Sequence, residues 1–197
     1  MEAGWIVRSG DPQTHFFIFW TRDGYKTTGC YNLDCPGFVQ VNRQFALGSI
    51  VNPVSSYNGL QFNILITIFK NKESGNWWLQ LQNQVLGYWP GSIFTTLADS
   101  SDAINFGGEI INDEADGHHT PTQMGSGHFP SEGYGKASFF GNLQYMDSNG
   151  VFKDPEKLIP YVTKPLCYDL QVRDEKTSAS GTYFYFGGPG YSEKCLN

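Results

Sequence analysis

Short runs of alternating apolar and polar residues, each closed by a turn dipeptide, constrain this chain more than any other feature. LQFNILITIF (60–69) and WWLQLQ (77–82) keep a period of two and flank Ser74-Gly75. They mark the two strands of a hairpin, Leu60–Lys70 and Asn76–Gln82. The same pattern predicts strands at Trp5–Arg8, His15–Thr21, Phe38–Asn42, Asp102–Asn112, Lys136–Asp147 and Thr182–Phe186. Asp11-Pro12, Asp23-Gly24, Asn58-Gly59, Asn149-Gly150 and Gly187-Gly188-Pro189-Gly190 punctuate them. A helical spacing arises over Ser92–Ser100, where Ile93, Leu97 and Ala98 share a face and Pro90 stands near the start. The expected fold is all-β, an antiparallel β-sandwich with one short helix.

Composition narrows the class further. A chain of 197 residues fits one domain, or at most two small ones, and can bury a core without help from metals. Charged residues make up 16%, below the usual quarter, whereas aromatics reach 16% and glycines number 23. That balance belongs to a β protein with many turns. A net charge of -6, with no run of Lys or Arg, argues against a nucleic-acid partner. No apolar run reaches the roughly 18 residues a membrane-spanning helix needs, so no membrane partner is expected.

Met1 is followed by Glu2 rather than by a basic and then hydrophobic segment. The chain is therefore expected either to be cytosolic or to lack its N-terminal part. The four cysteines favour the second option. Cys30 and Cys35 sit in the turn-rich GCYNLDCPG, which could close a small disulfide loop. Cys167 and Cys195 bracket the C-terminal region, where a bridge would pin a chain end. No pair of C-x-x-C knuckles suggests zinc, and two disulfides imply an oxidising compartment.

The stretch Asn105–Gly135 is the most informative about chemistry. Glu109 stands between Phe106-Gly107-Gly108 and Ile110-Ile111, ahead of a loop dense in Gly, His, Thr, Gln and Ser. A carboxylate in such a segment reads either as a buried group tuned for acid–base work or as an exposed residue alternating with apolar neighbours. Other chemistries fit less well. His118 and His119 are adjacent and would face opposite ways on a strand, and there is no H-E-x-x-H, so no metal is expected. Ser126 lacks the glycines and the following helix of a nucleophile elbow. The glycine run at 187–190 lacks a P-loop lysine and reads as a tight turn. Trp77, Trp78, Tyr88, Trp89, Tyr183 and Tyr185 could stack on sugars, so a non-catalytic sandwich binding cell-wall polysaccharide or peptide is the alternative. Paired carboxylates remain, since two that share a site hold one proton between them. The residues alone leave the partner of Glu109 open among Glu2, Asp113, Glu114, Asp116 and Glu132.

Several motifs resemble the neprosin family of secreted plant glutamic peptidases, first associated with cleavage after proline. They are Glu2-Ala3-Gly4-Trp5, GCYNL with CPGF (29–38), LGYWP (86–90), Gly107-Gly108-Glu109, His119-Thr120, TQMGSGHFP (122–130), Glu132-Gly133, Cys167-Tyr168-Asp169 and YFGGPG (185–190). They run in the family's order over nearly the whole chain, and 122–130 is the most specific. The resemblance implies two curved antiparallel sheets with a catalytic dyad of Glu2 and Glu109 in a groove. It also implies the bridges Cys30–Cys35 and Cys167–Cys195, a peptide or protein substrate, and no cofactor. Gln123 is a candidate oxyanion or substrate contact by residue type. Phe106 stands where the family usually has Trp. Family members carry a signal peptide, an inhibitory propeptide and opening strands upstream, so residues 1–197 are expected to be an N-terminally truncated catalytic domain of a secreted protein.

Overall fold

Alternation becomes strand pairing most directly in the hairpin of residues 66–81. In the computed structural model, which describes residues 1–112, 117–177 and 180–196, β5 (Ile66–Lys70) pairs antiparallel with β6 (Trp77–Leu81). Trp77, Leu79 and Leu81 are buried while Trp78 and Gln80 are half-exposed, the burial that a period of two dictates. β7 (Gln84–Trp89) continues the meander, and β4 (Val39–Gln40) completes the order β4-β7-β6-β5. Gly87 admits β4 at close range, since a Cβ there would lie 2.2 Å from the Val39 carbonyl oxygen. A second sheet joins β1 (Glu2–Arg8), β2 (Asp11–Trp20) and β3 (Cys30–Tyr31). Phe16 and Ile18 of this sheet share one core cluster with Leu79, Leu81, Leu86 and Trp89 of the other, so the two sheets pack face to face.

These strands form the first of two compact units, Met1–Val54 with Phe62–Ala103. The second is Ser55–Gln61 with Ile104–Asn197. It holds a three-stranded sheet, β11-β12-β8, of Asp169–Thr177, Gly181–Gly187 and Ser138–Phe140. It also holds a two-stranded ribbon, β9 (Tyr145–Met146) with β10 (Phe152–Lys153). Leu143, Phe184 and Phe186 form its core, joined by Phe106, Met124 and Phe140. The fold class is all-β.

Several local expectations change. The helix expected over Ser92–Ser100 is realised as two 3-10 turns, Gly91–Ile93 and Thr96–Ala98, so Ile93 and Leu97 reach the core from separate turns. Leu60–Leu65 does not extend β5, because Ser56, Gly59 and Gln61 close a loop on themselves and the Asn58 amide donates to the Gly135 carbonyl. Asp102–Asn112 forms no strand. Lys136–Asp147 splits into β8 and β9 at Gly141-Asn142, where Asn142 has a positive φ of 52°. Both disulfides form, Cys30–Cys35 and Cys167–Cys195. Spanning 5 and 28 residues, they contribute about 2 and about 3–4 kcal/mol by loop entropy. Such a pair is consistent with an extracellular protein.

Candidate active site

Glu2 is held by secondary structure. It opens β1, lies directly opposite Phe19 of β2, and is half-buried. The Tyr25 hydroxyl, from the loop between β2 and β3, donates to Glu2 Oε1. That loop is built around Asp23. Its carboxylate accepts from the Thr21, Thr27 and Thr28 hydroxyls and from the amides of Lys26, Thr27 and Thr28. These hydrogen bonds, the Thr27 hydroxyl's foremost, hold the Asp23 carboxyl well below the usual range.

Glu109 is held differently. Gly108 lies so close to Met124 and Phe186 that an added Cβ would sit 2.7 Å from Met124 Cγ and 2.9 Å from Phe186 Cε2. On its other side, Ile110 packs against the cluster of Cys167, Tyr168 and Cys195. Asn112 Oδ1 accepts from the Thr120 amide at 2.8 Å. The backbone is pinned on both sides of Glu109, and its side chain is exposed. The buried, tuned carboxylate envisaged from the apolar flanks is therefore corrected. A Cβ at Gly108 would face Met124 and Phe186, half-buried Ile110 packs on the disulfide cluster, and Glu109 between them is exposed. Phe106 packs edge-on to Phe140 at 6.1 Å between centroids, so an aromatic at this position anchors the segment from upstream.

The motif 122–130 braces the same unit. Met124 exchanges backbone hydrogen bonds with Gly188 at 3.0 and 3.3 Å. The glycine run does more than turn. A Cβ on Gly188 would stand 2.2 Å from the Cys167 carbonyl oxygen, and one on Gly190 2.6 Å from that of Thr120. Glycine is required there because backbones touch. Gln123 is exposed, and its side chain folds over Gly127, whose φ is +79°. Ser126 sits in a turn and is exposed. His128 Nδ1 donates to Glu132 at 3.0 Å, and Tyr57 donates to the same carboxylate at 3.2 Å. Partial desolvation opposes these bonds, yet they bring the Glu132 carboxyl below its ordinary value. Glu132 is thereby committed to a local bracket. Asp113, Glu114 and Asp116 lie outside the described residues.

His119 is buried, with Nδ1 bonded to the Thr120 carbonyl oxygen at 3.0 Å and its ring edge-on to Tyr168. Among the described residues, the cluster with metal-ligand spacing is His119, Cys167 and Cys195. The two sulfurs are bonded to each other and offer no thiolate. His118 stacks on Tyr191 at 3.9 Å.

Glu2 thus belongs to the first unit, and Glu109 and Gln123 to the second. The family model for neprosin matches residues 1–189. The chain belongs to the neprosin family. The family is associated with peptidase activity. In this chain the segments that carry Glu2 and Glu109 occupy a β-strand and a pinned irregular stretch respectively. Tyr25 is the residue at this site that the sequence did not disclose. Asp23-Gly24 signalled a turn, but only the folded loop brings Tyr25 to Glu2.

Proposed function

We propose that this neprosin-family chain is a secreted, acid-acting glutamic endopeptidase that cleaves peptides or proteins at proline-containing sites, with Glu2 and Glu109 as its catalytic dyad. The observation that carries this reading is the family match over residues 1–189 together with a carboxylate at each of the two motif positions, E-A-G-W and G-G-E. Each carboxylate is supported by its surroundings, Glu2 by strand pairing and a tyrosine donor, Glu109 by anchored neighbours on both sides. In the proposed reaction the carboxylate member takes a proton from water, and the oxygen attacks the peptide carbonyl. The carboxyl member gives its proton to the departing nitrogen as the C–N bond breaks. No covalent enzyme intermediate forms. The pair holds one proton at acid pH and loses it as pH rises, so turnover should be greatest in acid and fade toward neutrality.

The test is cleavage of proline-containing peptides across pH by the wild type, Glu2→Gln and Glu109→Gln. Glutamine keeps the shape and removes the titratable group. Both variants should lose nearly all turnover and melt like the wild type. Near-full turnover in either would sink the dyad. A full loss of activity on adding a chelator, or a maximum near pH 8, would count against the mechanism.

A further inference from the structure

A cross-strand pair in the first unit carries one more assignment, which rests on the dyad reading above. Glu2 and Phe19 are directly opposed in the β1–β2 ladder, so their side chains project from the same face. Tyr25 spans both. Its ring lies parallel to that of Phe19, with centroids 5.7 Å apart and planes 13° apart, while its hydroxyl donates to Glu2. The geometry is demanding, because Tyr25 takes a φ of 65°, a left-handed backbone that a bulky residue rarely adopts. The loop supplies that conformation. Thr21 Oγ1 accepts the Tyr25 amide at 3.0 Å and itself donates to Asp23, whose carboxylate closes the loop from the far side through Thr27 and Thr28. Gly29, at the loop's exit, leaves room for Phe19, since a Cβ there would lie 2.7 Å from Phe19 Cζ. A left-handed aromatic residue in a loop this heavily bonded is the kind of local constraint that accompanies function.

We propose that Tyr25 is a positioning residue for Glu2: stacked on Phe19 and fixed by the Asp23-centred loop, it orients the Glu2 carboxylate.

Tyr25→Phe tests this, because it keeps the stack on Phe19 and removes the hydroxyl. The turnover number should fall by about tenfold or more, the scale of losing a hydrogen bond to a charged group, with KM little changed. The melting temperature should stay that of the wild type. Asp23→Ala, which loosens the loop but leaves the hydroxyl in the chain, should lower kcat in the same direction. The Glu2 carboxyl 13C resonance reads the contact without turnover and should move between wild type and Tyr25→Phe. An unmoved resonance, or a turnover number unchanged from that of the wild type, would overturn the assignment. So would an activity loss matched by a loss of melting temperature. Failure of the dyad itself shows separately, as retained activity in Glu2→Gln.

Discussion

Gly108→Ala isolates how the second unit holds Glu109. The φ of Gly108 lies outside the left-handed region, so alanine meets no backbone penalty. The added methyl would stand 2.7 Å from Met124 Cγ, 2.9 Å from Met124 Sδ and 2.9 Å from Phe186 Cε2. All three fall well inside the roughly 3.5–4.0 Å of a comfortable carbon contact. Met124 can turn aside, because its chain is flexible. Phe186 cannot, since it is 5% exposed and packs against Phe140 and Phe184. The strain therefore passes into the backbone of 107–110. Overpacking of this kind destabilises by about 1–3 kcal/mol. For a chain of this size that lowers the melting temperature by about 2–12 °C. If Glu109 belongs to the proposed dyad, the loss of peptide cleavage should exceed the loss of stability, because small displacements of a catalytic group act strongly on rate. Gly108→Ala combined with Met124→Ala should destabilise less than the sum of the two single variants, since each relieves the other's misfit. Melting by circular dichroism and cleavage at fixed substrate measure both effects. An alanine variant that melts and cleaves like the wild type would refute the account of Gly108 as the residue that seats Glu109.

Other outcomes follow from the same structure. Leu79→Ala, which empties a fully buried site between the two sheets of the first unit, should destabilise by about 2–5 kcal/mol; denaturant melts check it. Replacing Cys167 and Cys195 by serine should destabilise by about 3–4 kcal/mol, against about 2 for the shorter Cys30–Cys35 loop. Comparable losses for the two pairs would contradict the loop-length argument. Asp147 accepts from Lys153, at 2.8 Å, and from the Val151 and Asn149 amides. The Lys153 contact foremost holds its carboxyl down at about 2 rather than 3.8. A depressed carboxyl supports the fold above its unfolded pKa. The β9–β10 ribbon should therefore keep this support above about pH 4 and lose it as pH falls through about 2. The Asp147 carboxyl shift followed by NMR, in wild type and Lys153→Ala, tests both position and cause.

Alternating sequence and turn dipeptides were enough to determine the all-β class, the β5–β6 hairpin core, and the strands around Trp5, Phe17 and Phe184, because burial on one face of a strand demands a period of two. The motifs likewise marked the family and both disulfide pairings. Strand membership was less legible where neighbours decided it. β7 carries Gly87 and leads into Pro90, and β11 carries DLQVRDEKT, so neither shows clean alternation. Each is a strand because adjacent strands satisfy its backbone groups. Phe106–Ile111 looks strand-like yet has no strand partner among the described residues, since Gly108 abuts Met124 and Phe186 and Ile110 packs on the disulfide cluster instead. Tertiary structure alone decided that Glu109 points outward and that Tyr25 reaches Glu2 across 23 residues of chain. Both depend on which distant atoms occupy the space beside a residue, and a local pattern carries no record of that.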